Sequence, residues 1–298
     1  MKEQVELSRY TTLGTGGPAR WFDTPESEEA LVDRLAWAER EGLEVAVVGL
    51  GSNLLVADDG FPGLVLKLAG DLARAEAADG RLAAGGGATL AVCLHRARAA
   101  ELGELEFACA FPGTVGGGVW MNAGAYGSDI AHVLDRALVA EAGGTRWLTP
   151  GELGLRYRSS GLRHGQVVAR AEFRLEPRPA EEIKATVAEM QARRKAAQPT
   201  NKRTFGSVFK NPEHELTAGR MLEACGLRGF RIGGAQISPK HANFIENADG
   251  ARSADAIALV AEARRRAREQ FGVVLHPEVQ LLGALDVPPL EPPASRAA

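Results

Sequence analysis

Apolar positions along this chain recur with two periods, and the switches between them mark out the elements. From Pro25 to Gly42 the spacing is helical, with Ala30, Leu31, Leu35 and Ala38 on one face and acidic residues in the first turn. Strand-like Glu44–Gly49 follows, then a tight turn, a short apolar run at Leu54–Val56, a second turn at Phe61–Gly63 and a strand at Leu64–Leu68. Gly85–Gly87 opens onto a helix from about Thr89 to Leu102, and a glycine-rich loop occupies 111–127. Ala137–Ala140, Arg146–Leu148 and Gln166–Leu175 read as strands. The pattern changes near Pro177–Pro179. Glu181–Gln198 then places Ile183, Val187 and Met190 at i, i+4 and i+7, and Pro199 ends the helix. A basic polar loop at Asn201–Phe209 leads to a short helix at Thr217–Cys225 and a strand-and-turn region reaching Ile245. A helix capped by Ser253 and a final strand at Val273–Leu282 close the pattern. No internal repeat is evident.

This order predicts an α+β protein in two parts: residues 1–178 as two α+β lobes, 179–200 as a connecting helix, and 201–286 as a smaller α+β domain. Residues 287–298 form a Pro-rich tail expected to be disordered. A chain of 298 residues is long enough for about two domains and a substantial core. With 45% apolar and 24% charged residues and a net charge of −3, it gives no reason to expect nucleic acid or an anionic membrane as partner, so any phosphate binding must be local. Cys93, Cys109 and Cys225 are odd in number and widely spaced, which suggests neither a disulfide framework nor a zinc site. The start lacks the apolar core of a signal peptide, and no window approaches the ~18 apolar residues of a membrane span. The expectation is a cytoplasmic monomer without a metal.

Candidate chemistry sits in two glycine elements. Phe111-Pro-Gly-Thr-Val-Gly-Gly-Gly-Val-Trp-Met-Asn-Ala-Gly-Ala-Tyr-Gly127 has six glycines in seventeen residues, so its backbone amides can approach a bound group with no Cβ in the way. Mixed with Thr and Asn, it suits a loop shaped around a polyanion such as a pyrophosphate, or else a set of tight turns. Upstream, Val48-Gly-Leu-Gly-Ser-Asn-Leu-Leu-Val56 begins like a dinucleotide fingerprint. Its third glycine is absent and it runs into a strand rather than a helix, so the Rossmann mode fails; the P-loop pattern is absent as well. What remains is a strand–loop–strand presenting amides, the Ser52 hydroxyl and the Asn53 amide, or a plain hairpin.

Together the two elements resemble the UDP-N-acetylenolpyruvoylglucosamine reductases. Five further segments extend the likeness over nearly the whole chain: Thr11–Ala19, Tyr157–Ser160, Gly206–Pro212, Gly233–Phe244 and Pro277–Val279. The resemblance implies a vanillyl-alcohol-oxidase-type FAD-binding domain followed by a substrate-binding domain. It also implies non-covalent FAD, NADPH as co-substrate, and reduction of UDP-N-acetylglucosamine enolpyruvate to UDP-N-acetylmuramic acid for peptidoglycan. FAD would lie against Gly49, Gly51, Ser52, Asn53, Leu54, Pro112, Gly113, Thr114, Gly117, Asn122, Gly124 and Ala125. The reacting group would meet Arg158, Ser207 and Glu278.

Those three residue types suit the implied chemistry. Hydride delivered to the enolpyruvyl carbon leaves negative charge on the neighbouring carbon and carboxylate, which a fixed cation and a polar acid stabilise. A positioned hydroxyl such as Ser207 then supplies the proton, itself renewed by Lys210 or water. Taken singly, each residue has a plainer reading: Ser207 as a turn residue, Arg158 as a solvated charge, Glu278 on an exposed face or paired at a site. Tyr157, Lys210, Asn211 and Gln236 are candidate contacts for the nucleotide sugar, within a loose basic cluster of Lys202, Arg203, Lys210 and Arg220. The C-terminal part has no room for the tyrosine-bearing flap of the family's longer form, so the chain resembles the short form. Another flavin oxidoreductase of the superfamily, acting on an alcohol or hydroxy acid, is the alternative. The two glycine elements lack the His or Cys that such enzymes often use to attach flavin covalently, with only Cys109 just outside.

Overall fold

The computed structural model describes residues 1–289. The last residues of the predicted tail, 290–298, lie outside that range.

Three sheets organise the chain. In the first, strands run in the order Lys2–Glu6, Pro18–Asp23, Phe61–Leu66, Val45–Val47. The Lys2–Glu6 edge is antiparallel and the other two pairings are parallel. Parallel neighbours need a crossover, supplied here by the helix Glu28–Arg40. Ser27 Oγ accepts from the Ala30 N–H at 3.2 Å to cap it, and Leu31, Leu35 and Ala38 pack on Leu64 and Leu66, the face the periodicity predicted. Lys2–Glu6 was not predicted because four of its five residues are exposed; backbone pairing at a sheet edge holds it rather than an apolar face.

The second sheet is antiparallel, in the order Gly144–Leu148, Leu134–Glu141, Val167–Arg174, Arg81–Gly85, Ala75–Ala78. The helix Leu90–Ala99, capped by Thr89, covers one side, and its Leu90, Cys93 and Ala97 join Leu82, Ala171 and Phe173 in the largest core. The helix Ala180–Ala197 contributes one fully buried residue, Ile183. Within the predicted loop 111–127 the chain forms a short helix, Val115–Trp120, capped by Thr114. Its glycines allow close packing. The Gly116 N–H donates to the Gly86 carbonyl at 2.8 Å, and a Cβ on Gly116 would meet that oxygen at 3.0 Å.

The third sheet, in the order Thr204–Ser207, Phe244–Asn247, Ala235–Ile237, Arg231–Ile232, forms the C-terminal part with the helices Ala218–Ala224 and Ser253–Phe271. Thr204–Ser207 lies inside the stretch expected to be a polar loop. The expected strand Val273–Leu282 reduces to Gln280–Leu282. Pro277 has no N–H for a ladder, so 276–278 make only separate bonds to the chain beside Val208 and Lys210. Gln280–Leu282 then returns to the first part and pairs in parallel with Leu54–Val56. Traffic also runs the other way: Leu13 and Leu55 are fully buried in the C-terminal core with Phe205, Phe209 and Leu275. Chain from each part therefore completes the other, and a cleft lies along the seam.

Candidate active site

The cleft has a volume of about 750 Å³, within the range of small-molecule and cofactor sites. The two glycine elements form one wall. Val45–Val47 pairs with Phe61–Leu66 and Leu54–Val56 with Gln280–Leu282, so the intervening 48–53 is a free loop between two sheets, not a hairpin. Among the described residues, no hydrogen bond is made by the backbone N–H groups of Gly49, Leu50, Gly51, Ser52 and Asn53, nor by those of Phe111, Gly113 and Thr114. Backbone donors buried away from water are rarely left unpaired, and most of these are half-buried or exposed along the cleft. Eight of them along one cleft make a concave donor surface suited to a polyanion.

Local contacts hold this surface in shape. The Ser52 hydroxyl donates to the Pro112 carbonyl at 2.6 Å and joins the loops. Gly49 lies so near Thr114 that a Cβ would meet Thr114 Oγ1 at 2.5 Å. Gly51 has φ +64, and its carbonyl accepts from both the N–H (3.0 Å) and hydroxyl (3.1 Å) of Thr12. The Thr12 hydroxyl also bonds the Thr204 carbonyl at 2.6 Å, so this strap ties the loop to the C-terminal sheet. Behind the loop, Lys67 Nζ donates to the Gly49 carbonyl at 2.9 Å, and burial holds its ammonium below the usual lysine value. No sequence signal pointed to Lys67.

Arg158, Ser207 and Glu278 line the same cleft as these donors, and Arg158 and Glu278 are paired. Arg156 and Ser159 bond each other across a tight turn with Tyr157 and Arg158 at its tip. Arg158 has φ +51, a position where glycine is usual. Such strain, of order 1–3 kcal/mol, persists where surrounding contacts over-determine it. Here they do: Arg158 donates to the carbonyls of Gly124 (2.5 Å) and Asn122 (3.5 Å), lies 5.0 Å from the Tyr157 ring centroid, and pairs with Glu278 Oε1 at 3.2 Å. Both partners of the ion pair are 19% exposed. The Glu278 N–H bonds the Val208 carbonyl at 2.8 Å, which ties the Glu278 backbone to the residue after Ser207. Burial raises the Glu278 pKa above the ordinary carboxylate value, while the charges of Arg158 and Lys210 pull the other way.

Other candidates fall differently. Gly117, Gly124, Ala125, Leu54 and half-exposed Tyr157 line the cleft. Asn122 does not; it is 3% exposed and its side chain bonds Asp129, Arg156 and Ala131. Asn211 lines the cleft with its Oδ1 held by the Ala218 N–H, and Lys210 acts on Glu278 through its charge. Gln236 is not among the residues lining the cleft, and its amide donates to the Gly229 carbonyl at 3.0 Å. Sequence reasoning missed Arg194 and His241, which line the cleft from a helix end and a loop. Burial depresses the His241 pKa, and its Nδ1 accepts from the Asn243 N–H at 3.2 Å. Among the described residues, no helix is long and apolar enough to cross a membrane.

The donor-lined cleft and the match of residues 19–149 to the FAD binding domain together place the chain among flavoproteins of the vanillyl-alcohol-oxidase type. Residues 19–149 match the profile of the FAD binding domain, and residues 198–282 match that of the UDP-N-acetylenolpyruvoylglucosamine reductase C-terminal domain. The chain is 42% identical over 279 residues to UDP-N-acetylenolpyruvoylglucosamine reductase 2 of Symbiobacterium thermophilum, covering 93% of this chain and 90% of that one. It is 40% identical over 280 residues to reductase 1 of Bacillus thuringiensis, covering 93% of each. The crystal structure of UDP-N-acetylenolpyruvylglucosamine reductase from Thermus caldophilus superposes with a TM-score of 0.82 at 38% identity, over 94% of this chain and 98% of that one. This chain belongs to the UDP-N-acetylenolpyruvoylglucosamine reductase family.

Proposed function

We propose that this protein is an FAD-dependent reductase that uses NADPH to convert UDP-N-acetylglucosamine enolpyruvate to UDP-N-acetylmuramic acid, a step of peptidoglycan synthesis. The observation that carries the residue assignment is the Arg158–Glu278 ion pair, which lines the same cleft as Ser207 and the unpaired backbone donors. The donor surface fits a dinucleotide diphosphate, with Gly49–Asn53 and Phe111–Thr114 supplying neutral N–H groups and Lys67 a charge behind them. When bound there, FAD supplies hydride transfer from NADPH to the enolpyruvyl carbon.

The chain's own residues then manage charge and protons. Arg158, fixed by two carbonyls and by Glu278, presents a cation where an enolate and carboxylate carry developing negative charge. The Ser207 hydroxyl makes no hydrogen bond among the described residues, so it is free to turn towards the neighbouring carbon and give up its proton. A serine hydroxyl is a weak acid, and water at the cleft restores the proton. Tyr157 at the mouth, Asn211 and the Lys210 charge receive the nucleotide sugar. The same reading makes the protein a cytoplasmic monomer acting on a small soluble substrate.

The test is NADPH oxidation that depends on added UDP-N-acetylglucosamine enolpyruvate, with purified protein first examined for flavin absorbance. Protein that neither carries nor takes up FAD would overturn the reading, as would NADPH oxidation indifferent to the enolpyruvyl substrate.

A further inference from the structure

Two asparagines, one from each glycine element, bond the chain that carries the ion pair; Asn53 also lines the cleft and Asn122 does not. Asn53 Nδ2 donates to the Glu278 carbonyl at 3.2 Å, and its own carbonyl accepts from the Gln280 N–H at 3.0 Å. Glu278 is thus held from both sides, by Asn53 and by the Val208 carbonyl. Asn122 Nδ2 donates to Asp129 Oδ2 and to the Arg156 carbonyl, both at 3.1 Å, while its Oδ1 accepts from the Ala131 N–H at 2.8 Å. Arg156 anchors the turn that carries Arg158 in its left-handed conformation, and the guanidinium returns to the carbonyls of Asn122 and Gly124. One residue therefore joins both ends of the lever that aims Arg158, its side-chain amide on the Arg156 carbonyl and its backbone carbonyl under the guanidinium.

We infer that Asn53 and Asn122 are positioning residues whose side-chain amides hold Glu278 and Arg158 together from the two glycine elements, rather than binding the dinucleotide. The inference rests on the function proposed above and deepens it. The elements that present backbone donors to the cofactor also set the geometry of the acid–base pair. Asn53 makes the link through a single side-chain bond, so its loss disturbs little else. The backbone N–H of Asn53 remains a donor to the cleft in any substitution other than proline.

The test compares wild type with Asn53→Ala and Asn122→Asp, each checked by thermal melting. Three readouts follow: FAD affinity of apoprotein by flavin fluorescence, flavin reduction by NADPH, and flavin reoxidation by UDP-N-acetylglucosamine enolpyruvate. FAD affinity and flavin reduction should stay within about threefold, while reoxidation falls ~10–100-fold, the scale of a misplaced catalytic geometry. The facing charges on Glu278 are Arg158 and Lys210; with Arg158 displaced, less positive charge favours the carboxylate. The limb of the reoxidation pH profile governed by Glu278 should then move to higher pH. A tenfold or larger loss of FAD affinity with normal reoxidation at saturating FAD would show the asparagines to be cofactor contacts and sink the inference. Equal loss in both half-reactions would also refute it, by showing a general structural role. Should Asn122→Asp fail to fold, Asn53→Ala alone decides. A wild type that cannot be reoxidised by the enolpyruvyl sugar removes the proposed function itself, an outcome distinct from any difference among variants.

Discussion

Adding one methyl group to Gly51 tests whether the first glycine element is shaped as the structure has it. Gly51 sits at φ +64, and a Cβ there would lie inside the contact radius of the Tyr10 carbonyl oxygen and 2.8 Å from Thr11 Cα. Both are backbone atoms of the strap that bonds the loop to Thr204, so neither can turn aside as a flexible side chain would. Two costs follow. A left-handed non-glycine residue costs roughly 1–2 kcal/mol, and forcing extra volume into a packed site costs about 1–3 kcal/mol more. Gly127 provides the control, because it has φ +85 but nothing within 4 Å of its added Cβ, and so bears only the first cost. Gly51→Ala should therefore weaken FAD binding to apoprotein by ~10–100-fold more than Gly127→Ala, since the loop can relieve the clash only by moving towards the cleft, at 1.4 kcal/mol per factor of ten. Flavin fluorescence titration measures it. Equal FAD affinity in the two variants would refute the argument that close approach, rather than left-handed φ, requires glycine at 51.

Further outcomes are expected at the pair and its surroundings. Ser207→Ala should leave flavin reduction by NADPH nearly intact and slow reoxidation by at least ~10²-fold, the lower bound for a lost general acid; stopped-flow absorbance separates the two, and loss of both would mean a structural role. Arg158→Met should lower reoxidation by ~10²–10³-fold, as for a missing donor to developing negative charge, and a kcat within tenfold of wild type would contradict that assignment. Glu278 has a folded pKa above its unfolded one, so its contribution to stability is full below the unfolded pKa and is lost as pH rises through the folded pKa. Melting temperatures of wild type should accordingly fall relative to Glu278→Gln as pH rises above the ordinary carboxylate value of 4.5, and parallel curves would deny the shift. Lys67→Met should weaken FAD binding and flatten its salt dependence, with Lys67→Arg closer to wild type; an unchanged affinity would mean that the charge behind Gly49 does not reach the cofactor.

Much of this protein is legible without coordinates. Periodicity alone sets Leu31, Leu35 and Ala38 on the buried face of a helix, because a 3.6-residue repeat of apolar side chains can satisfy only one neighbour. A missing third glycine and a following apolar run exclude a Rossmann turn at Gly49–Asn53, since that turn needs a helix behind it. The free loop with its unpaired amides agrees with that exclusion. Motif order brought Arg158, Ser207 and Glu278 together as a set of candidates, though local sequence supplied no geometry for any of them.

What required the tertiary structure is every relation carried by the backbone across long separations. Nothing in Gln280–Leu282 announces that it pairs with Leu54–Val56, because a ladder of N–H and C=O groups is nearly blind to side-chain identity. Leu13 reads as one apolar residue in a glycine-rich start, yet it is buried in the distant C-terminal core. Asn53 and Asn122 are the sharpest case. An asparagine in a glycine loop looks like a ligand contact, and only the fold shows whether its amide faces the cleft or the chain behind it. Motifs in the family's order set which chemistry to expect of this chain; the crossing of its two ends along one seam decided which candidate residues share a cleft.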